Sequence, residues 1–92
     1  MAFVVTWEAP GLLQEQYEMT LRTVLCTQPP PAGLLVHLSG PMEGGWRGID
    51  VWESQAAADA FGTSAELQQA LHPLGNQVHL TFTSWQTYDH TL

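Results

Sequence analysis

The sequence predicts an α+β fold in a single domain, residues 1–92, with its elements in the order β-α-β-β-α-β. Three observations predict it. Two segments have helical apolar periodicity, four short segments are rich in β-branched and aromatic residues, and a glycine-rich turn joins the second and third of these four. The length is close to the lower limit for one hydrophobic core, and no linker, repeat or low-complexity segment divides the chain.

The first half of the chain supplies a strand, a helix and a second strand. Residues 2–8 (AFVVTWE) are β-branched and aromatic, and the Pro-Gly pair that follows ends this strand. Residues 12–26 (LLQEQYEMTLRTVLC) are predicted to form an amphipathic helix. Its apolar stripe recurs at steps of four: Leu13, Tyr17, Leu21 and Leu25. Three prolines stop the helix, and residues 34–40 (LLVHLSG) form the second strand.

The second half completes the pattern. Residues 46–53 (WRGIDVWE) follow a short turn, which makes them the antiparallel partner of the second strand. Ser54 is a natural N-cap for a helix over residues 55–61 (QAAADAF), which resumes over residues 65–71 (AELQQAL). Residues 77–88 (QVHLTFTSWQTY) alternate as a fourth strand. We therefore expect a ferredoxin-like fold, a four-stranded antiparallel sheet with both helices on one face.

Strand alternation sorts the side chains onto two faces of this sheet. On the face under the helices we expect Phe3, Val5, Trp7, Val36, Leu38, Ile49, Val51, Val78, Leu80 and Phe82. On the uncovered face we expect Val4, Thr6, Glu8, Leu35, His37, Ser39, Trp46, Gly48, Asp50, Trp52, His79, Thr81, Thr83 and Trp85. Because that face would be aromatic and open to water, we predict that it pairs with a second copy in a homodimer.

Composition excludes several classes of partner. The chain has nine acidic residues against two arginines and no lysine, with a formal charge of −7. Nucleic-acid binding needs clustered basic residues, so we expect none, and anionic membranes are disfavoured for the same reason. No apolar run approaches a membrane span. The single cysteine, Cys26, fits a reducing, cytoplasmic setting.

One imidazole and one carboxylate are the candidates for catalysis. The hairpin is expected to place His37 near Gly48, with Asp50 diagonal to it on the same face. A carboxylate that orients an imidazole makes it a general base, so His37 is the candidate base and Asp50 its orienting partner. Gly48 would leave room for a flat ligand over the ring. The alternative is a buried hydrogen bond that only satisfies two polar groups.

Further residues on the same face are candidates for holding a ligand. Three indoles, Trp46, Trp52 and Trp85, would suit a flat apolar molecule, with His79 and Thr81 beside them. The indoles could equally form a core or an interface. His37, His79 and Asp50 could form a two-histidine, one-carboxylate metal site, but nothing in their spacing supports it, and we predict no metal and no cofactor.

The segment GIDVWES followed by QAAADAF, residues 48–61, resembles the dimeric α+β barrel proteins, and within them the antibiotic biosynthesis monooxygenase-like group. The resemblance implies the predicted fold and a homodimer. Members include cofactor-independent oxygenases of polycyclic phenols, polyketide cyclases, haem-degrading enzymes and isomerases. The resemblance places Trp52 where such oxygenases have a cavity tryptophan. By the same resemblance, Gly48 stands where such oxygenases can place an asparagine, and Ala58 or a neighbour in QAAADAF stands where they can carry a tyrosine.

We therefore predict a cofactor-independent enzyme that acts on a hydrophobic aromatic or polyketide-like compound. Proton abstraction would lead to oxygenation, cyclisation or isomerisation, in a dry cavity that orients the substrate. The alternative is a non-catalytic protein of the same fold, either a ligand-binding accessory or a structural homodimer.

Overall fold

The computed structural model describes residues 1–75 and 78–89, which form a four-stranded antiparallel sheet with helices on one face. The sheet order is β2-β3-β1-β4, and every neighbouring pair is antiparallel. The strands are β1 (Phe3–Pro10), β2 (Leu34–Met42), β3 (Gly45–Trp52) and β4 (Thr81–Gln86). The predicted α+β, ferredoxin-like fold class is confirmed.

Each of the two predicted helical regions is divided into two short helices. The first region contains α1 (Gln14–Met19) and α2 (Leu21–Leu25), and the second contains α3 (Gln55–Gly62) and α4 (Ala65–Leu71), which a 3-10 turn follows at His72–Leu74. Thr20 separates α1 from α2, and its hydroxyl donates to the Gln16 carbonyl at 2.6 Å. In the second region, the Ser54 and Ser64 hydroxyls each accept a backbone N–H and cap α3 and α4.

Helix α1 begins later than its apolar stripe predicts. Leu13 is the N-cap residue and is largely exposed, whereas its neighbour Leu12 is fully buried. The expected inward position of Leu13 is therefore wrong. A residue that precedes the first helical turn does not follow the helical period.

The fourth strand is shorter than predicted. Residues 77–88 were expected to be extended, but β4 covers Thr81–Gln86, and Gln77 lies outside the described residues. Strand β4 pairs with β1 from Glu8↔Thr81 to Phe3↔Gln86. Strand β1 continues to Ala9 and Pro10 beyond this pairing, and His79 and Leu80 precede β4.

The hairpin of β2 and β3 faces the opposite way from the prediction. The register places Gly48 beside Trp7, Asp50 beside Val5 and Trp52 beside Phe3. Directly paired residues project from the same face of a sheet. On β1, Phe3 and Trp7 are buried in the core as predicted, so the alternate residues of β3 from Trp46 to Trp52 also lie under the helices.

The exposure of the side chains agrees with this correction. Asp50 and Trp52 are 5% and 2% exposed, whereas Leu38 and Ile49 are 59% and 42% exposed. The aliphatic residues of the hairpin that were expected under the helices are thus on the uncovered face: Val36, Leu38, Ile49 and Val51. The physical reason is size: burying large indoles on the helix side removes more apolar surface from water than burying the aliphatic side chains of the hairpin.

The core has two parts. The larger cluster packs β1 against α1, α2 and α4, and its buried members are Trp7, Ala9, Leu12, Tyr17, Leu21, Leu25, Leu67 and Leu74. The smaller one contains Phe3, Trp52 and Ala58. None of the helices in residues 1–75 and 78–89 is long and apolar enough to cross a membrane.

Candidate active site

A row of four hydrogen-bonded side chains lies between the sheet and α1. The Trp7 indole Nε1 donates to Asp50 Oδ2 at 3.2 Å, and Asp50 Oδ1 is 2.5 Å from His37 Nδ1. The other ring nitrogen, His37 Nε2, is 2.6 Å from the Tyr17 hydroxyl. We call Trp7, Asp50, His37 and Tyr17 the polar cluster. Its members come from β1, β3, β2 and α1 in turn.

The strand register explains why the imidazole and the carboxylate meet. His37 pairs directly with Asp50, and Ser39 pairs with Gly48. The predicted proximity of His37 to a carboxylate is therefore observed, although the expected pairing of His37 with Gly48 is wrong. Both side chains are nearly excluded from water, with exposures of 10% for His37 and 7% for Asp50.

A neutral imidazole beside an ionised carboxylate satisfies all of these hydrogen bonds. An ionised Asp50 accepts from Trp7 on one oxygen and from His37 Nδ1–H on the other. A neutral His37 then has an acceptor at Nε2, to which the Tyr17 hydroxyl donates. Both ring nitrogens are thus engaged by protein groups, and His37 has no free nitrogen for a substrate.

Tyr17 is a member of the site that the sequence reasoning missed. It was assigned to the packing stripe of the first helix, and it does pack there, stacked on Trp46 with 5.2 Å between ring centroids. Burial raises the pKa of its phenol, a hydrogen bond with Ser39 lowers it, and Cys26 and, to a smaller extent, the Asp50 charge raise it further. Tyr17 is therefore a phenol at neutral pH and serves as a donor. The available signal was its hydroxyl, in a stripe whose other members are leucines.

Gly48 is needed for the packing of Trp7. A Cβ on Gly48 would overlap the Trp7 indole ring, which lies directly against the β3 backbone at this point. The space that Gly48 was expected to leave for a ligand is therefore filled by Trp7. This close approach brings the indole Nε1 to Asp50.

A cavity of about 620 Å³ lies on the other side of Asp50, between the sheet and the helices. Its volume is in the range usual for small-molecule sites. Its walls are mainly apolar and include Phe3, Val5, Leu21, Leu25, Trp52, Phe61, Leu67, Leu71, Leu80 and Phe82. Asp50 contributes a buried carboxylate, and exposed polar residues of α3 and α4 also line the cavity: Gln55, Asp59, Thr63 and Gln68.

The predicted site residues do not all meet. His37 and Asp50 are together, Trp52 lines the cavity, and Trp46 packs on Tyr17. Thr81 and Trp85 are exposed and lie on the uncovered face, because they pair with Glu8 and Val4. His79 is exposed before β4. The expectation that all these residues share one face is wrong, since the hairpin faces the helices.

Two details concern metals and unpaired groups. Among residues 1–75 and 78–89, no group of three His, Cys, Asp or Glu side chains is placed to hold a metal ion. Within the same ranges, the Trp46 indole nitrogen is the buried side-chain polar atom that has no hydrogen-bond partner.

Comparisons with known proteins identify the fold. No protein-family model and no curated protein matches the sequence. Among solved structures, a protein from Deinococcus radiodurans described as an antibiotic biosynthesis monooxygenase aligns with a TM-score of 0.69 and 18% identity, over 100% of this chain and 97% of its own. A variant of SnoaB, a cofactor-independent oxygenase from Streptomyces nogalater, aligns with a TM-score of 0.72 and 10% identity, over 97% and 94%. The chain therefore has the same α+β fold as these two proteins.

Proposed function

We propose that the chain is a cofactor-independent enzyme that removes a proton from a flat, hydrophobic aromatic or polyketide-like substrate. The observation that carries this proposal is the position of Asp50. It is a buried carboxylate at the inner wall of a large apolar cavity, held by Trp7 on one oxygen and by His37 on the other. A carboxylate in a site that excludes water is an effective general base.

Asp50, rather than His37, is the group that meets the substrate in this proposal. The cavity is lined by Asp50, and both His37 nitrogens are engaged by Asp50 and Tyr17. The sequence-based roles of base and orienting partner are therefore exchanged. His37 positions the carboxylate, and Tyr17 holds His37 in the tautomer that donates to Asp50.

The proposed step moves one proton from an acidic C–H or O–H of the substrate to Asp50. The electron pair stays on the substrate as an enolate or phenolate, and the negative charge passes from Asp50 to the substrate. That anion can react with O2, close a ring or be reprotonated at another atom. SnoaB is a cofactor-independent oxygenase, and its shared fold supports reaction with O2 as the outcome.

The uncovered sheet face supports a homodimer as the functional unit. Leu38, Ile49 and Trp85 are exposed there at 59%, 42% and 53%. A groove of about 590 Å³ runs across the same face and is lined by residues that include Thr6, Leu38, Ile49 and Thr83. Exposed apolar patches of this kind mark interaction surfaces, and we propose that a second copy covers this one.

The test is oxygen uptake and ultraviolet absorbance with anthrone as substrate. We expect the protein to accelerate consumption of anthrone, and Asp50→Asn to lower kcat by about 10²–10⁴, the usual contribution of a general base. Asp89→Asn is the matched control, because it removes the same charge from an exposed residue that does not line the cavity. Equal rates for the two variants would refute the assignment of Asp50.

A non-catalytic ligand-binding protein is the second candidate. The observation that favours it is that each member of the polar cluster is already hydrogen-bonded to another member. A cluster of that kind can stabilise the fold without taking part in any reaction. Quenching of tryptophan fluorescence by anthrone, without consumption of anthrone or oxygen, would support this candidate over the enzyme.

A further inference from the structure

The charges around the cavity have one sign. Among its lining residues the ionisable groups are Asp50, which is buried, and Asp59, which is exposed. The chain has two arginines and no lysine. Arg47 lines the groove on the opposite face of the sheet, and Arg22 is exposed on α2 and does not line the cavity.

An anionic ligand would therefore meet repulsion at the inner end of this cavity. Its charge would lose hydration on entry, and none of the described lining residues is a cation that would compensate for that loss. The nearby Asp50 carboxylate adds a like-charge interaction, which is strong where water is excluded.

A ligand that ends in a hydrogen-bond donor would instead be attracted to the Asp50 carboxylate. A carboxylate has about four lone-pair positions, and two at Asp50 are used by Trp7 and His37. The remaining positions can accept from a hydroxyl or an ammonium group. Trp52 adds an aromatic surface to the wall beside Asp50, which suits a flat ring and also a cation.

We infer that the cavity selects a flat apolar molecule that carries a hydrogen-bond donor at one end, neutral or cationic, and rejects molecules with a carboxylate. This inference deepens the proposed function and rests on the same cavity. It implies that a carboxylated polyketide would have to be esterified or decarboxylated before it could enter.

The test compares four ligands with the same naphthalene ring by calorimetry at neutral pH. They are 2-naphthylmethanol, its methyl ether, 2-naphthylmethylamine and 2-naphthoate. We expect the alcohol to bind at least about tenfold more tightly than the ether, which cannot donate. We expect the protonated amine to bind at least about a hundredfold more tightly than naphthoate. Equal affinities, tighter binding of naphthoate, or no binding of any of the four would overturn the inference.

Two variants locate the effect. Asp50→Asn should reduce the preference for amine over naphthoate to less than about tenfold, whereas Asp89→Asn, the same change at an exposed residue that does not line the cavity, should leave it above that value. A thermal melt shows whether each variant is folded. If Asp50→Asn does not fold, the four ligands on the unmodified protein still decide the question.

The ligand series and the anthrone assay can fail separately. The four naphthalene ligands report only on binding, and oxygen uptake reports only on turnover. The expected order of affinities without turnover would refute the enzyme and leave the ligand class standing. Turnover of anthrone without that order of affinities would support the enzyme and refute the ligand class.

Discussion

The contact between Gly48 and Trp7 gives a sharp prediction for Gly48→Ala. The added Cβ would overlap the indole ring, and Trp7 is buried, with 3% exposure. The backbone of β3 is also held on both sides, by β1 and β2. The ring must therefore shift, and the shift breaks its hydrogen bond to Asp50.

The magnitude follows from these two costs. Overpacking a core costs about 1–3 kcal/mol, and losing a hydrogen bond to a buried charged group costs about 1.5–3 kcal/mol. The reduced freedom of the unfolded chain returns about 0.4–1 kcal/mol. We expect a net loss of about 2–5 kcal/mol in the free energy of unfolding, or a fall in Tm of about 10 °C or more for a domain of this size.

The assay is thermal and urea unfolding, followed by circular dichroism, with Gly62→Ala as the matched control. Gly62 ends α3, and a Cβ there meets nothing within 4 Å. The control should melt at the temperature of the parent protein or slightly above it. If both variants melt alike, Trp7 does not lie against Gly48, and the corrected orientation of the hairpin is wrong.

Three further predictions concern the rest of the site and the uncovered face. Burial raises the pKa of the Tyr17 phenol, so the protonated phenol stabilises the folded state fully below pH 10, and this stabilisation is lost as the pH rises through the raised pKa. Urea unfolding above pH 10 should therefore show a loss of stability that Tyr17→Phe lacks. His37→Gln should lower kcat for anthrone by about tenfold, which is less than the effect of Asp50→Asn, because His37 positions the base without contacting the substrate. If His37→Gln lowers kcat more than Asp50→Asn does, His37 is the base. Ile49→Glu should convert a dimer into a monomer in sedimentation velocity, whereas Leu13→Glu, the same change at an exposed leucine near α1, should not; a dimer that persists in Ile49→Glu would contradict pairing through the sheet.

The element order could be predicted from the sequence because it depends on local signals. Pro-Gly pairs, glycine-rich turns, capping serines and apolar periodicity each act within a few residues. The structure confirms the order and the fold class from these signals. The strand pairing that determines the site depends on residues far apart in the chain, such as Trp7 and Gly48.

The orientation of the hairpin could not be predicted from alternation alone. One alternating set was aliphatic, and the other mixed indoles with a histidine and an aspartate, so the aliphatic set was assigned to the core. The mixed set is buried instead because its polar members satisfy one another and Tyr17. A large residue paired with a small one, Trp7 with Gly48, was the signal that would have favoured the observed orientation.

The proximity of His37 to Asp50 was predicted, but their direct pairing and the direction in which the pair acts were not. That direction depends on Tyr17, which comes from α1 and occupies Nε2. A helical stripe read from sequence identifies the residues that face the sheet. It does not identify the sheet residue that each of them contacts.

Asp50 lines the cavity from β3, which lies inside the sheet between β1 and β2, whereas other lining residues come from the edge of the sheet. Its carboxylate cross-links β1 to β2 through their side chains, so changes there alter ligand recognition and folding together. The cavity is also lined by Leu80, just before the edge strand β4, and by Phe82 within that strand, which is 61% exposed. Substitutions along β4, by natural drift or in a directed library, should therefore change the size of the ligand with the least loss of stability, and leave the chemistry around Asp50 unchanged.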